Sequence, residues 1–135
     1  VNRRSIYVDG FSHENPIPAA CQLGGLVTTG AVHGGGSGSD PDDFPARFGD
    51  QVAAMFDRVA AILTAAGGSL DDVLKFSVRI SSPEDRDELN RQWCALFPDP
   101  SSRPARQVSI GTTRPHILVQ CEVLALVAGD GGGDA

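Results

Sequence analysis

The stretch ILVQCEVLALV, residues 117–127, decides the fold. Read as a strand, it puts Ile117, Val119, Cys121, Val123, Ala125 and Val127 on one face. Leu118, Gln120, Glu122, Leu124 and Leu126 fall on the other. Both faces are largely apolar, so both need cover. Helices can lie on one of them. In a chain of 135 residues, the second face needs another subunit or a third layer built from the N-terminal strands. The first alternative makes the protein an oligomer, with Gln120 and Glu122 near the contact.

Upstream of this strand the periodicity changes twice. Phe48, Val52, Met55, Phe56, Val59, Ile62, Leu63 and Ala66 recur at spacings of three and four and predict a helix, with Pro45 in its first turn and Gly67-Gly68 at its end. VLKFSVRI (73–80) alternates, with Leu74, Phe76, Val78 and Ile80 on one side, and predicts a strand. SPED (82–85) then opens a second helix, with Ser82 as N-cap and Pro83 in the first position. Leu89, Trp93, Leu96 and Phe97 form its buried stripe, and Pro98 and Pro100 stop it. Residues 3–8 and 105–110 read as strands, and Gly24-Gly25 punctuates a hairpin. The order is β-β-β-α-β-α-β-β, an α+β pattern with both helices on one sheet face. Residues 1–128 form one domain, and the Gly-rich tail 129–135 is expected to be disordered.

Composition narrows the function. A net charge of -6 disfavours a protein that holds nucleic acid through phosphates. No apolar run reaches membrane-spanning length, and VNRRSIYVDG (1–10) lacks the long apolar core expected of a signal peptide. The three cysteines, Cys21, Cys94 and Cys121, are too few and too scattered for a disulfide framework or zinc site. They read as packing residues of a cytoplasmic protein. His13, His33 and His116 match no metal-ligand spacing. HGGGSGSDPDD (33–43) lacks a phosphate-loop Lys-Ser or Lys-Thr and any core-forming residue, and reads as a movable loop.

One residue stands out. Arg106 shares a strand face with Val108 and Ile110, and a guanidinium among apolar neighbours needs a partner. A carboxylate suits its fork best. Two sources are open: Glu122 on the next strand, as a structural ion pair, or a small carboxylate ligand. Glu122 is ambiguous in the same way. On an apolar face its pKa is expected to rise, which suits proton transfer or the orientation of a water. Paired with an arginine, it is an ordinary strand glutamate. Arg103 reads as a surface residue.

NPIPAA (15–20), AAGGSLDDVLKFSVRI (65–80), NRQWCALFP (90–98), RPARQVSI (103–110) and ILVQCEVLAL (117–126) together resemble the Rid family of reactive-intermediate imine deaminases, also called YjgF-like. The resemblance covers about residues 14–128. It implies a chorismate-mutase-like α+β fold, a homotrimer whose sheets line a central barrel, and ligand sites in clefts between subunits. It implies hydrolysis of small enamines or imines that carry a carboxylate, of the 2-aminoacrylate type, to keto acid and ammonia. By the same resemblance Arg106 clamps the carboxylate and Glu122 orients the attacking water, without metal or cofactor. Ile17, Thr29, Gly30 and Val108 shape the substrate pocket. The sequence departs from the pattern where many members carry a site tyrosine, which here is Ile17, and where a cysteine is common, which here is Val108. Two alternatives follow from these departures and from activities attached to relatives. One is a non-catalytic trimer that binds a carboxylate metabolite or a partner protein. The other is a ribonuclease, which the acidic balance disfavours.

Overall fold

The computed structural model describes residues 2–128. Six strands form one sheet: β1 (Arg4–Ile6), β2 (Ala20–Leu23), β3 (Leu26–Thr29), β4 (Val73–Ile80), β5 (Ala105–Ile110) and β6 (Val119–Leu126). Their order across the sheet is β1-β2-β3-β6-β4-β5. The helices are α1 (Phe48–Ala65) and α2 (Arg86–Leu96). Strands β3 and β4 both run antiparallel to β6, and β5 runs parallel to β4. The chain therefore makes two parallel crossovers, β3-α1-β4 and β4-α2-β5, each stepping the same way across the sheet. Right-handed crossovers in one direction place their helices on one face. That is the α+β arrangement expected, and β1–β3 join the same sheet instead of folding over it as a third layer.

The core lies between the helices and the sheet. Val119, Cys121, Val123 and Ala125 of β6 are buried beneath Val52, Met55, Phe56, Val59, Ile62 and Leu63 of α1. Gln51 is also in this core. Its Nε2 donates to the carbonyls of Pro45 and His116, at 2.8 and 2.9 Å, and its Oε1 accepts from the Leu118 amide at 2.9 Å. One buried amide thus fixes the entry to β6. Phe76 is fully buried and makes edge contacts with Phe56, Trp93 and Phe97, with centroids 5.3 to 6.1 Å apart. Phe76→Ala is expected to cost about 3–5 kcal/mol in urea unfolding, because that aromatic cluster cannot collapse onto the space left.

The structure corrects several local expectations. A register shift between Val73 and Lys75 is a bulge, so Val73 turns inward and Leu74 outward. Leu96 and Cys94 on α2 are exposed, leaving Leu89 and Trp93 as its buried stripe. Pro83–Asp85 forms a 3-10 turn ahead of α2, and the Ser82 hydroxyl bonds the Glu84 carboxylate instead of capping a backbone amide. The hairpin at Gly24-Gly25 is as expected. Gly24 has φ +61, and a Cβ on Gly25 would fall 2.5 Å from the Val127 carbonyl oxygen. The tail 129–135 lies outside the described residues.

Among the described residues, the second sheet face carries no helix. Leu23, Leu26, Leu124 and Leu126 are exposed on it, with Leu26 opposite both Leu23 and Leu126 in the ladder. Among the described residues no helix is long and apolar enough to cross a membrane.

Candidate functional site

Arg106 lies on β5, the edge strand, opposite Phe76 of β4, and therefore faces the helices. Its Nη2 donates to Oδ1 of Asn90 on α2 at 2.6 Å. Its guanidinium carbon sits 4.9 Å from the centre of the Trp93 ring. Nη1 is buried and has no partner. Burial lowers the Arg106 pKa from the ordinary arginine value; the nearby Arg86 charge adds to this and Cys94 opposes it. No carboxylate pairs with Arg106 among the described residues. The structural ion pair with Glu122 does not form. Strand β4 lies between the two, and its register sets Phe76 beside Arg106 but Ser77 beside Glu122. Successive strand residues point to opposite faces, so Arg106 and Glu122 of one chain lie on opposite sides of the sheet.

Glu122 projects from the open face into a polar hollow of about 210 Å³, shared with Ser77, Arg79, Gln107, Ser109 and Gln120. It is exposed, so one chain alone does not supply the apolar surroundings expected for it. A second hollow of about 270 Å³ adjoins the first, and Gln120 lines both. Ile17 lines this second hollow with His13, Ala31, Thr113 and Arg114. Gly30 lies behind His13: a Cβ on it would fall 3.5 Å from His13 Nε2. Thr29 is committed to the sheet, since its hydroxyl oxygen accepts the Val123 amide at 2.9 Å. Val108 packs half-buried against the core on the Arg106 face. The expected site residues thus form two groups: Arg106 and Val108 at the β5 edge under α2, and Ile17 and Glu122 along the two joined hollows, with Gly30 behind His13.

The glycine-rich loop is anchored. His33 is buried and stacks between Phe11 and Phe44, with centroids 5.2 and 4.9 Å away, and Phe44 in turn meets His116 at 4.9 Å. Arg58 donates to the Gly35 carbonyl at 2.6 Å, and Arg114 to the Gly38 carbonyl at 3.0 Å. A Cβ on Gly35 would collide with the Phe44 ring, which explains a glycine there. The expectation of a loop without core-forming residues fails at His33. Burial pushes its pKa down to about 4, and the Arg58 charge contributes. The sign follows from linkage. The unfolded chain takes up this proton near pH 6.5 and the folded one only near 4, so this contribution to stability is full above 6.5 and is lost as pH falls through 4. His33→Asn, which keeps an acceptor for the Gly35 amide, is expected to flatten that slope by on the order of 2 kcal/mol in urea titrations at pH 7 and pH 4.

Sequence reasoning missed the roles of four residues. Asn90 and Trp93 orient Arg106, but they come from another element, and only tertiary packing brings them to it. Gln120 was placed beside Glu122 by their alternation, near a subunit contact, but not as a lining residue of both hollows. Arg103 is more than a surface charge: its Nε donates to the Phe97 carbonyl at 2.7 Å and closes the end of α2. Cys121 is buried, and burial with the adjacent Glu122 charge pushes its thiol pKa well up, so it is a packing residue. Among the described residues, no group of three or more His, Cys, Asp and Glu side chains is placed to hold a metal ion.

Comparison with known proteins adds an independent finding. The model of the family described as Endoribonuclease L-PSP matches residues 18–127. A RutC family protein of Pyrococcus horikoshii is 32% identical over 77 residues, covering 56% of this chain and 60% of the relative. A second, from Pyrococcus abyssi, is 30% identical over 77 residues, covering 56% of this chain and 59% of the relative. The alignments therefore span less than two thirds of these relatives. Among solved structures, RidA from an Antarctic Psychrobacter superposes with a TM-score of 0.79 at 27% identity, covering 92% of this chain and 99% of that one. Yeast Mmf1 superposes at 0.79 with 18% identity, covering 94% and 100%, which speaks to the fold alone.

Proposed function

The chain belongs to the Endoribonuclease L-PSP family, the RidA/YjgF-like proteins, and from that premise we propose that it hydrolyses small imines or enamines bearing a carboxylate. One observation carries this reading. Arg106 is a half-buried guanidinium, aimed by Asn90 and Trp93, with an orphaned Nη1 and no carboxylate partner in its own chain. Such a group is costly unless an anion completes it, and a carboxylate matches its fork.

The products are a keto acid and ammonia. An enamine first takes a proton on carbon and becomes the iminium. Water then adds to the imine carbon, and the proton it loses passes to the Glu122 carboxylate. Glu122 hands that proton on to the amine nitrogen, the hydroxyl oxygen forms the carbonyl bond as the carbon–nitrogen bond breaks with its electron pair on nitrogen, and ammonia leaves while the hydroxyl proton returns to the carboxylate. The protein has to orient two reactants and handle one proton, which a guanidinium and a carboxylate can do.

Because Arg106 and Glu122 of one chain face opposite ways, the site in this reading forms between copies. The β5 edge of one copy meets the open face of the next, in a homotrimer. The exposed leucines of that face support an assembly that covers them. The net charge of -6 supports a small-molecule substrate over nucleic acid. The test is ammonia release from imines generated in situ by an amino-acid oxidase. Faster release by the wild type than by buffer supports the reading. Carboxylate binding at Arg106 without faster release favours a non-catalytic binding module instead.

A further inference from the structure

We infer that the polar hollow around Glu122 receives a second carboxylate, carried on the substrate's side chain, and that Arg79 binds it. The inference deepens the proposed function and rests on it for the position of the imine carbon at Glu122. Strand register lays six side chains on the open face as two rows across β5, β4 and β6. One row is Gln107, Ser77 and Glu122, and the next is Ser109, Arg79 and Gln120. All six line the hollow. They form a polar island on a face that elsewhere carries Leu23, Leu26, Leu124 and Leu126. Arg79 is the cation of the island. Its Nη1 donates to the Gly111 carbonyl at 3.2 Å, and no carboxylate pairs with it among the described residues. Glu122 stands one row back and one strand across, roughly 8 Å away between backbones. Lys75, one row beyond Glu122 on the other side, lies outside the hollow. Arg79 is exposed, so a ligand reaches it, and its charge is fixed at any working pH.

In the proposed reaction the adjoining copy's Arg106 holds one carboxylate, and Glu122 faces the imine carbon. The remaining substituent on that carbon then lies over the row of Ser109, Arg79 and Gln120. A side chain of one or two methylenes ending in a carboxylate, met by the reach of the arginine, spans the gap between Glu122 and Arg79. The hollow, at about 210 Å³, has room for it. The guanidinium fork can bond both of its oxygens, and the Ser109 hydroxyl offers a further donor. A hydrocarbon end in the same place takes water from the guanidinium and returns no hydrogen bond, which is penalised. The substrate class is then the imine of an acidic amino acid, held at one end by Arg106 and at the other by Arg79. Sites built to hydrogen-bond a substrate group reject the analogue that lacks it.

Binding of stable keto acids tests this without requiring turnover. The probes are 2-oxoglutarate and its alkyl isostere 5-methyl-2-oxohexanoate, titrated calorimetrically into the full chain at low and high salt. The wild type is expected to bind the first about tenfold or more tightly than the second, with the preference shrinking as salt rises. Arg79→Gln is expected to erase the preference, and Arg79→Lys, which keeps the charge without the fork, to retain part of it. Sedimentation velocity on both variants reports whether assembly matches the wild type. No preference in the wild type, or a preference that Arg79→Gln leaves intact, overturns the inference. An assembly that Arg79→Gln dissociates also overturns it, by making Arg79 a subunit contact. Failure of the imine reading shows separately, as no ammonia release by the wild type.

Discussion

Arg106→Ala is expected to lower kcat/KM for imine hydrolysis about a thousand-fold while leaving the melting temperature unchanged or slightly raised. The magnitude follows from two charge-assisted hydrogen bonds to a substrate carboxylate, each worth about 2 kcal/mol. The stability expectation follows from the absence of a protein anion beside Arg106. Removing one partner of a buried ion pair strands the other charge and destabilises. Here no partner is stranded, and the substitution removes an unsatisfied buried nitrogen. Asn90 loses one bond at the rim of α2. Arg106→Lys keeps the charge but loses the fork, and is expected to recover only part of the activity. A large drop in stability with activity retained would mark Arg106 as a structural residue. The readouts are ammonia release and thermal unfolding.

For the proposed trimer, Leu126→Asp is expected to yield monomers and to abolish the proposed activity together with assembly. Leu126 is 56% exposed on the open sheet face, paired in register with Leu26 and adjoining Leu124. A carboxylate forced into a dry contact there costs several kcal/mol. In the proposed trimer, cyclic symmetry repeats the cost in every copy. The single chain loses nothing by the change, because the side chain points away from the helices and the core. Sedimentation velocity is therefore expected to show a folded species of one chain, with circular dichroism unchanged. An assembly that survives the substitution would place the subunit contact elsewhere.

Much of this architecture was legible in the sequence because the periodicities are clean. Residues 117–127 gave both the helix-covered face and the open one, and the spacing in α1 named its buried stripe. Where the reading failed, the cause was local backbone geometry that alternation does not encode. The bulge at Val73–Lys75 turned Leu74 outward, and the early end of the α2 stripe exposed Leu96. The candidate site was legible as residue types but not as an arrangement. Arg106 was singled out as an arginine in need of a partner, and its Nη1 has none in the structure. Its relation to Glu122 depends on β4 inserting between β5 and β6, a matter of strand order, which no local pattern reveals. His13 and His33 looked alike in the sequence, two loop histidines without metal spacing. Packing separates them: one is locked into an aromatic stack with its Nδ1 engaged, and the other keeps a buried Nε2 without a partner.

The central claim is that the site is completed by two copies, Arg106 from one and Glu122 from the next. Mixing chains that carry Arg106→Ala with chains that carry Glu122→Gln tests it most directly. Each variant alone is expected to release almost no ammonia. After co-refolding in equal amounts, about one quarter of the interfaces combine an intact Arg106 with an intact Glu122, and activity is expected to recover toward that fraction of wild type. Recovery no greater than the sum of the two separate variants would contradict a shared site.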